Sequence, residues 1–356
     1  MEKSPQNTQM SKRPVGISRR ALSSGQTPLV NETPLFPDKS LPLLMQPAFA
    51  EVDLYSWGTQ NSSLIEQKLL QHGAILFRGF RTTTSADFEK FVKVFGDDLL
   101  PYNERSSPRS LVSNNIYTST EHPADQAIFL HNENSYQQSW PRKIFFFCET
   151  APGAQGETPI ANVQRVFERI DPAIRKRFLQ LGWMYVRNFQ AGIGLPWQTV
   201  FQTTDKQQVE AYCQANGISV EWKEGDGLRT RAVRPAIVRH PLTGALLWFN
   251  HAIFFHVSTL EPSAAAALLN TFREEDLPSN TYYGDGSAIE PEVLEHVKAA
   301  YHAETVMFPW QKGDILLVEN MLVAHGRSPY KPPRKILVGM SGAVQSKDVI
   351  VDDKRE

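Results

Sequence analysis

Two histidines and a glutamate are the residues of this chain whose types and order best fit metal chemistry. His131 and Glu133 form an H-x-E triplet in FLHNENSY, and His325 follows much later in ENMLVAHGRSPY. Two imidazoles and one carboxylate are the ligand set that holds non-haem Fe(II) and leaves other coordination positions open. The pattern therefore predicts an iron centre with room for further ligands.

The H-x-E triplet needs a backbone that brings both side chains to one ion. Alternation along a β-strand places residues 131 and 133 on the same face, so a strand meets this need. The apolar residues 128–130 precede the triplet, and the apolar run ILLVENMLVA precedes His325. Taken alone the triplet is weak, since polar residues at strand ends are commonly exposed and the chain has nine histidines. Because apolar residues precede both the triplet and His325, the sequence favours a buried site where two strands end.

An arginine lies close to the last of these histidines in the sequence. Arg334 opens the run RKILVGM, shortly after His325. A planar guanidinium binds a carboxylate through two parallel hydrogen bonds, which lysine does not reproduce. The alternative is a surface charge beside two prolines, and Arg327 is a second candidate for the same role. Thr158, in the turn GAQGETP, carries a hydroxyl that would reach the same carboxylate.

These residues must be positioned by a framework of short strands with helices around them. SSLIEQKLLQHG predicts a helix ending at Gly73, and AILFRGF predicts a buried strand after it. SADFEKFVKVFG predicts a second helix, with Ser85 as N-cap and Gly96 at its end. Strand-like runs recur at both ends of the chain, and helical segments cluster between them. The pattern favours a mainly β fold with flanking helices, a double-stranded β-helix or jelly roll with a mid-chain insertion.

Composition limits the remaining classes. The chain has 356 residues, 41% of them hydrophobic, with a formal net charge of −1. We therefore expect no nucleic-acid partner and no membrane association. Two isolated cysteines exclude a disulfide framework, and the polar start MEKSPQNTQMSKR is not a secretory signal, so a cytoplasmic enzyme is expected. We expect a flexible N-terminal arm at 1–30, one domain at 41–345 and a polar C-terminal tail at 346–356.

Several longer segments together resemble a known family. LHNENSYQQSWPRKIFFFCETAPGAQGETPIAN, HPLTGALLWFNHAIFFH and VENMLVAHGRSPYKPPRKILVGM occur in the order found in taurine dioxygenase-like Fe(II)/2-oxoglutarate oxygenases. They are most similar to the branch associated with nonribosomal peptide and antibiotic biosynthesis, and more distantly to clavaminate synthase. The resemblance implies iron held by His131, Glu133 and His325, with 2-oxoglutarate as co-substrate held by Arg334 and Thr158, and O₂ as oxidant.

One departure bears on the substrate. Taurine dioxygenase has aspartate at the position of Glu133, whereas the clavaminate synthase and amino-acid hydroxylase branch has glutamate, as this chain does, so a sulfonate substrate is disfavoured. Related halogenases carry a small residue there, so hydroxylation is favoured over halogenation. The expected reaction is hydroxylation of an unactivated C–H of an amino acid, either free or tethered to a peptidyl carrier protein. Desaturation or cyclisation on the same site, and a catalytically silent jelly-roll binding module, are the alternatives.

Polar residues around these motifs are candidates for substrate contact. Some flank the triplet, where the alternative is a role in a turn, and others lie in the middle of the chain. They are Asn132, Asn134, Ser135, Asn250 and Arg231. A homo-oligomer is compatible with the sequence.

Overall fold

The computed structural model describes residues 28–95, 99–100, 110–120, 122–190 and 194–351. The strands are β1 (Val30–Phe36), β2 (Lys39–Pro47), β3 (Ala74–Phe77), β4 (Leu111–Ser113), β5 (Ile116–Thr118), β6 (Ile128–His131), β7 (Ser139–Thr150), β8 (Ala154–Gln155), β9 (Ile160–Asn162), β10 (Trp183–Phe189), β11 (Ile218–Trp222), β12 (Leu228–Arg234), β13 (Ile237–Arg239), β14 (Leu246–Trp248), β15 (Ser279–Tyr283), β16 (Thr305–Val306), β17 (Ile315–Glu319), β18 (Val323–Arg327), β19 (Tyr330–Lys331) and β20 (Lys335–Gln345). The helices are α1 (Leu54–Gln60), α2 (Ser62–His72), α3 (Ser85–Lys93), α4 (Val163–Arg169), α5 (Pro172–Leu181), α6 (Trp197–Phe201), α7 (Lys206–Ala215), α8 (Pro262–Thr271) and α9 (Pro291–Glu304).

Two sheets form the framework of the molecule. The larger has the order β1-β2-β3-β17-β7-β20-β5-β4, and the smaller has the order β16-β9-β18-β6. At the centre of the larger sheet, β7 pairs with β17 and β20 across long stretches of chain. This arrangement confirms the predicted jelly-roll class with flanking helices. A further four-stranded sheet, β11-β12-β10-β15, corresponds to the mid-chain insertion.

Strand β7 explains why the larger sheet is covered on both faces. Phe145 and Phe147 belong to the cluster that contains residues of α1, α2 and α3, whereas Phe146 and Cys148 belong to the cluster that contains the smaller sheet. Side chains alternate between the faces of a strand, so the run IFFFC serves both cores. Burial raises the pKa of the Cys148 thiol to about 12, which makes it an inert core residue at neutral pH.

Helices α2 and α3 lie where the sequence predicts them, but the ends of α3 differ from the prediction. Helix α2 ends at Gly73, which has φ 76 and donates its backbone N–H to Leu69. The N-cap predicted for α3 is wrong: Thr84, not Ser85, caps the helix. Thr84 has the extended backbone of a cap and forms a capping box with Asp87. The predicted end of α3 at Gly96 is also wrong, because the helix ends at Lys93 with Val94 as its C-cap.

The packed structure extends beyond the predicted domain limits of 41 and 345. Strand β1 pairs with β2 from Val30, where Val30 lies opposite Pro47. At the other end, the backbone N–H of Ser346 donates to Gln138 at 2.8 Å, and Val349 lies in the core. Most of the predicted arm, residues 1–27, and residues 352–356 lie outside the described part. Within that part, no helix is both long and apolar enough to cross a bilayer.

Candidate metal centre and adjoining cavities

Strands β6 and β18 carry the two histidines of the predicted triad. The strands are antiparallel neighbours, and His325 lies directly opposite His131 in the ladder. The centroids of the two imidazole rings are 4.6 Å apart. Directly opposed residues on antiparallel strands project to the same face, so this register alone brings both rings to one side of the smaller sheet.

Gly326 permits this close approach. The ladder between β6 and β18 shifts register between His325 and Arg327, with Gly326 at the irregularity. A Cβ atom on Gly326 would lie 2.6 Å from the backbone oxygen of Ile128. A glycine inside a strand commonly marks such a bulge or close approach. The glycine of the HGR string therefore has a structural reason that the sequence pattern did not reveal.

Glu133 reaches the histidines from a turn and not from the strand. Strand β6 ends at His131, and Glu133 follows in a turn whose next residue, Asn134, has φ 58. The prediction that residues 131 and 133 share a strand face is therefore wrong in its mechanism. The turn nevertheless places Oε2 of Glu133 3.6 Å from Nε2 of His325.

The three side chains offer a compact donor set. One ligand atom from each of His131, Glu133 and His325 can be chosen so that all lie within 4.8 Å of one another. Glu133 and His325 are buried, with 4% and 5% of their surfaces exposed. Nδ1 of His131 lies 2.9 Å from the backbone oxygen of Phe129. Because a carbonyl only accepts, Nδ1 carries the proton and Nε2 keeps its lone pair for a ligand bond.

This donor set suits a divalent transition metal. Two neutral imidazole nitrogens and one carboxylate oxygen match the ligands of non-haem Fe(II). A carboxylate buried at this depth also needs positive charge nearby, which a bound cation supplies. The arrangement could therefore hold an iron ion with His131, Glu133 and His325 on one side of it.

Arg334 and Thr158 line a small cavity beside both histidines. His131, His325, Thr158 and Arg334 all contribute to its wall, together with apolar residues of β7 and β20. Nε of Arg334 donates to the backbone oxygen of Gly156 at 2.9 Å, which orients the guanidinium. Burial lowers the pKa of Arg334 to about 10, so it is still charged at neutral pH. The two histidines of the triad and the oriented guanidinium of Arg334 therefore line the same cavity.

The neighbouring basic residues have other partners. Arg327, the second candidate, donates to the backbone oxygens of His122, Pro123 and Gln126 at 2.6 to 2.9 Å. Lys335 forms an ion pair with Glu149 at 2.6 Å, with 48% of the lysine side chain exposed. Among the basic residues that line this cavity, Arg334 is the better placed to meet an incoming carboxylate.

A second cavity, of about 280 Å³, opens on the other side of His131. Aromatic side chains form much of its wall. They include Tyr136, Tyr185, Phe254 and Phe255, which lie near His131, Glu133 and His251. The Phe254 ring stacks on His131 with centroids 4.5 Å apart and an interplanar angle of 19°. A ligand in this cavity would lie against aromatic faces and beside the triad.

His251 is the buried histidine of this second cavity. Its Nδ1 lies 2.5 Å from Oγ of Ser135, and its ring stacks on Phe255 with centroids 4.6 Å apart. Burial, and next the nearby His131, lower the pKa of His251 well below its ordinary value. His251 is therefore neutral at physiological pH and presents a polar edge in an otherwise aromatic wall.

The structure gives most of the predicted substrate contacts other roles. Asn132 donates to the backbone oxygen of Asn320 at 2.6 Å, and Asn250 bridges Ala236 and Ala252. Arg231 lies on β12, where it pairs with Glu221 at 3.0 Å. Ser135 meets His251, as described above, and Asn134 is the turn residue with positive φ. None of these five is among the described residues that line the second cavity.

Sequence reasoning missed the aromatic residues of that cavity. Phe254 and Phe255 lie in NHAIFFH, a segment whose two adjacent aromatic residues were visible in the sequence. Tyr185 comes from β10 of the insertion, and its ring stacks on Phe255 with centroids 4.3 Å apart. No sequence signal connects β10 with the triad, because that contact exists only once the insertion folds against the smaller sheet.

Known proteins are similar to this chain over most of its length. The model of the family described as "Taurine catabolism dioxygenase TauD, TfdA family" matches residues 37–341. Dapdiamide synthesis protein DdaC of Enterobacter agglomerans is 42% identical over 276 residues, which span 78% of this chain and 84% of that protein. A clavaminate synthase-like protein of Arabidopsis thaliana is 30% identical over 335 residues, covering 88% of this chain and 98% of the relative.

A solved structure supports the same architecture. The PvcB protein of Pseudomonas aeruginosa superposes with a TM-score of 0.56 at 15% identity, covering 92% of this chain and 98% of PvcB. At that level of identity the likeness concerns the fold alone. It agrees with the jelly-roll framework described above.

Proposed function

The chain belongs to the TauD/TfdA family of Fe(II)/2-oxoglutarate-dependent dioxygenases, and we propose that it hydroxylates an unactivated C–H of an amino acid or aminoacyl group. The observation that carries the proposal is the small cavity in which both triad histidines, Thr158 and Arg334 meet. It offers a metal-binding end and a carboxylate-binding end, as 2-oxoglutarate requires. The same cavity adjoins the aromatic one through His131.

We assign the iron to His131, Glu133 and His325. When bound, Fe(II) and 2-oxoglutarate together supply the oxidising chemistry, in which O₂ is consumed and succinate and CO₂ are released. The protein contributes a fixed donor set: the Phe129 carbonyl holds the tautomer of His131, and Gly326 lets the two strands approach. Since Glu133 fills the carboxylate position of the triad, hydroxylation is favoured over halogenation.

We assign the co-substrate's far carboxylate to Arg334 and Thr158. Gly156 takes one of the five N–H donors of Arg334, and Ser119 accepts from Nη1 at 3.3 Å. The remaining donors can meet a carboxylate. Oγ1 of Thr158 accepts from Nε1 of Trp310 at 3.2 Å, so its own hydroxyl proton is available to donate to an anion.

The aromatic cavity supports a small substrate. Its volume of about 280 Å³ is near the lower end of small-molecule sites. Phe254 and Tyr185 would enclose an apolar group, and His251 would contact a polar one. DdaC, named for dapdiamide synthesis, supports a biosynthetic role of the secondary-metabolite kind for this chain. We propose presentation of the substrate by a peptidyl carrier protein as one form of that role, in the cytoplasm.

Succinate release tests the proposal. Purified protein with Fe(II), 2-oxoglutarate and O₂ is given free amino acids and the same aminoacyl groups loaded on a carrier protein. We expect succinate and a product heavier by one oxygen atom with one of the two sets, and neither with His131→Ala. The matched control is His72→Ala, since His72 bonds Ser40 outside both cavities. Wild type that forms no succinate with any partner, or His131→Ala that matches wild type, would contradict the proposal.

A further inference from the structure

Asn320 is a fully buried residue that lies outside the donor set but touches it. It follows β17 directly and begins the turn that leads into β18, the strand of His325. Its relative exposure is 0%. A buried amide has to satisfy two donor hydrogens and an acceptor oxygen, so its contacts reveal what it holds.

The side chain of Asn320 binds both backbone groups of Glu133. Oδ1 accepts from the Glu133 N–H at 2.8 Å. Nδ2 donates to the Glu133 carbonyl at 3.0 Å and to the carbonyl of Pro141 on β7 at 2.8 Å. One amide therefore fixes the peptide groups on either side of the Glu133 Cα, and it ties them to the larger sheet.

The backbone of Asn320 extends the same attachment. Its carbonyl accepts from Nδ2 of Asn132, the residue between His131 and Glu133, at 2.6 Å. Its N–H donates to the Arg142 carbonyl at 2.7 Å. The turn that carries Glu133 is thus held at two successive residues, although Glu133 and Asn320 are 187 positions apart in the chain.

This attachment connects the separate parts of the triad. His325 lies on β18, which follows the turn that Asn320 begins, and the backbone of Glu133 is bonded to the side chain of Asn320. Without it, Glu133 would depend on a short turn beyond the end of β6. Oε2 of Glu133 and Nε2 of His325, 3.6 Å apart, therefore belong to two groups that are both attached to the segment from Asn320 to β18.

We propose that Asn320 is a positioning residue that holds the carboxylate of Glu133 at the metal-binding distance from His325. The inference rests on the proposed triad. Only asparagine supplies one acceptor and two donors in this shape. Aspartate keeps the acceptor for the Glu133 N–H but turns a second oxygen towards two carbonyls. Alanine loses all three bonds and leaves the turn to relax.

Metal affinity is the measurement that separates positioning from mere stability. Apo protein is titrated with Co(II) alone, and the dissociation constant is obtained by competition with a chelating dye. We expect Asn320→Ala to weaken Co(II) binding by about 10- to 100-fold, the usual effect of removing a group that orients a metal ligand. Asn320→Asp should fall between Asn320→Ala and wild type.

Asn188→Ala is the matched control. Asn188 is also a buried amide with three bonds: it donates to the carbonyls of Glu275 and Leu277 and accepts from Arg229. It lies on β10, in the sheet of the insertion. We expect its loss to lower the melting temperature comparably while Co(II) affinity stays within about two-fold of wild type, since it orients no ligand.

The outcomes decide the inference separately from the proposed function. Wild-type Co(II) affinity in Asn320→Ala, or equal weakening in Asn320→Ala and Asn188→Ala, would overturn the positioning role while leaving the triad intact. If Asn320→Ala does not fold, Asn320→Asp decides alone, and wild-type affinity there overturns the role. Wild-type protein that does not bind Co(II) would overturn the triad and this inference together.

Discussion

Replacing Arg334 by lysine tests the co-substrate pocket directly. The substitution keeps a positive charge but removes the planar fork that binds a carboxylate through two parallel hydrogen bonds. It also removes the 2.9 Å bond from Nε to the Gly156 carbonyl, which orients the side chain. A lysine ammonium in the same place would be a point charge with no fixed direction.

The size of the effect follows from the number of bonds lost. A hydrogen bond between charged groups contributes about 1.5–3 kcal/mol, and losing one of two weakens binding by roughly 10- to 150-fold. Burial lowers the pKa of Arg334 to about 10 by disfavouring its charged form, and it would depress the pKa of a lysine further. Arg334 stays protonated at neutral pH. In wild type, its titration should therefore add no pH dependence to the affinity for 2-oxoglutarate in that range.

The assay is an anaerobic titration of Fe(II)-loaded protein with 2-oxoglutarate, followed by the weak visible charge-transfer band of the chelate. Arg177→Lys is the matched control, because Arg177 pairs with Glu290 at the surface and lines neither cavity. We expect the control to bind 2-oxoglutarate like wild type. Unchanged affinity in Arg334→Lys, or an equal loss in both variants, would refute the assignment of Arg334.

Three further substitutions probe the same region. Thr158→Val keeps the shape but removes a neutral hydroxyl, so the KM for 2-oxoglutarate should rise by about 2- to 10-fold with kcat little changed; an unchanged KM would argue against Thr158. Gly326→Ala forces a Cβ against the Ile128 carbonyl, which should lower the free energy of unfolding by about 1–3 kcal/mol in urea titrations and weaken Co(II) binding. Burial, and next Lys298, lower the pKa of His256 from 6.5 to about 4. The unfolded chain therefore binds the proton more readily, and stability should fall as pH drops from 6.5 towards 4. His256→Asn keeps an acceptor for the Ser258 N–H. In this variant the melting temperature should fall less steeply between pH 6.5 and 4, and an unchanged slope would contradict the role of His256.

Much of the framework could be predicted because apolar runs carry their own periodicity. The run IFFFCET alternates between two cores, and the runs before His325 and after Arg334 become β17, β18 and β20. Sequence reasoning also selected the three donors that the structure brings together. Each of the three donors follows an apolar run of the sequence, and this position indicated that the donors would be buried.

The features that the sequence did not predict depend on contacts between distant segments. Strand alternation appeared to explain the H-x-E triplet, yet Glu133 stands in a turn held by Asn320, and no local pattern marks that bond. Asn132 and Asn250 are polar and near the motifs, which makes them candidates for substrate contact, and that role stays a prediction. In the structure both bind backbone groups, since a buried amide must satisfy its donors and acceptor wherever the fold offers partners.

Strand β6 contributes residues to the walls of both cavities. Ile128 and His131 belong to the walls of both cavities, and so does Thr120 on the segment leading into β6. Arg334 lines the smaller cavity, and the aromatic rings around Phe254 line the larger one. In the proposed function, a co-substrate in the smaller cavity and a substrate in the larger one would both lie against His131. His131 is held by its bond to Phe129 and by the ring of Phe254, and both phenylalanines line the aromatic cavity, so a change in that wall would alter the orientation of this histidine.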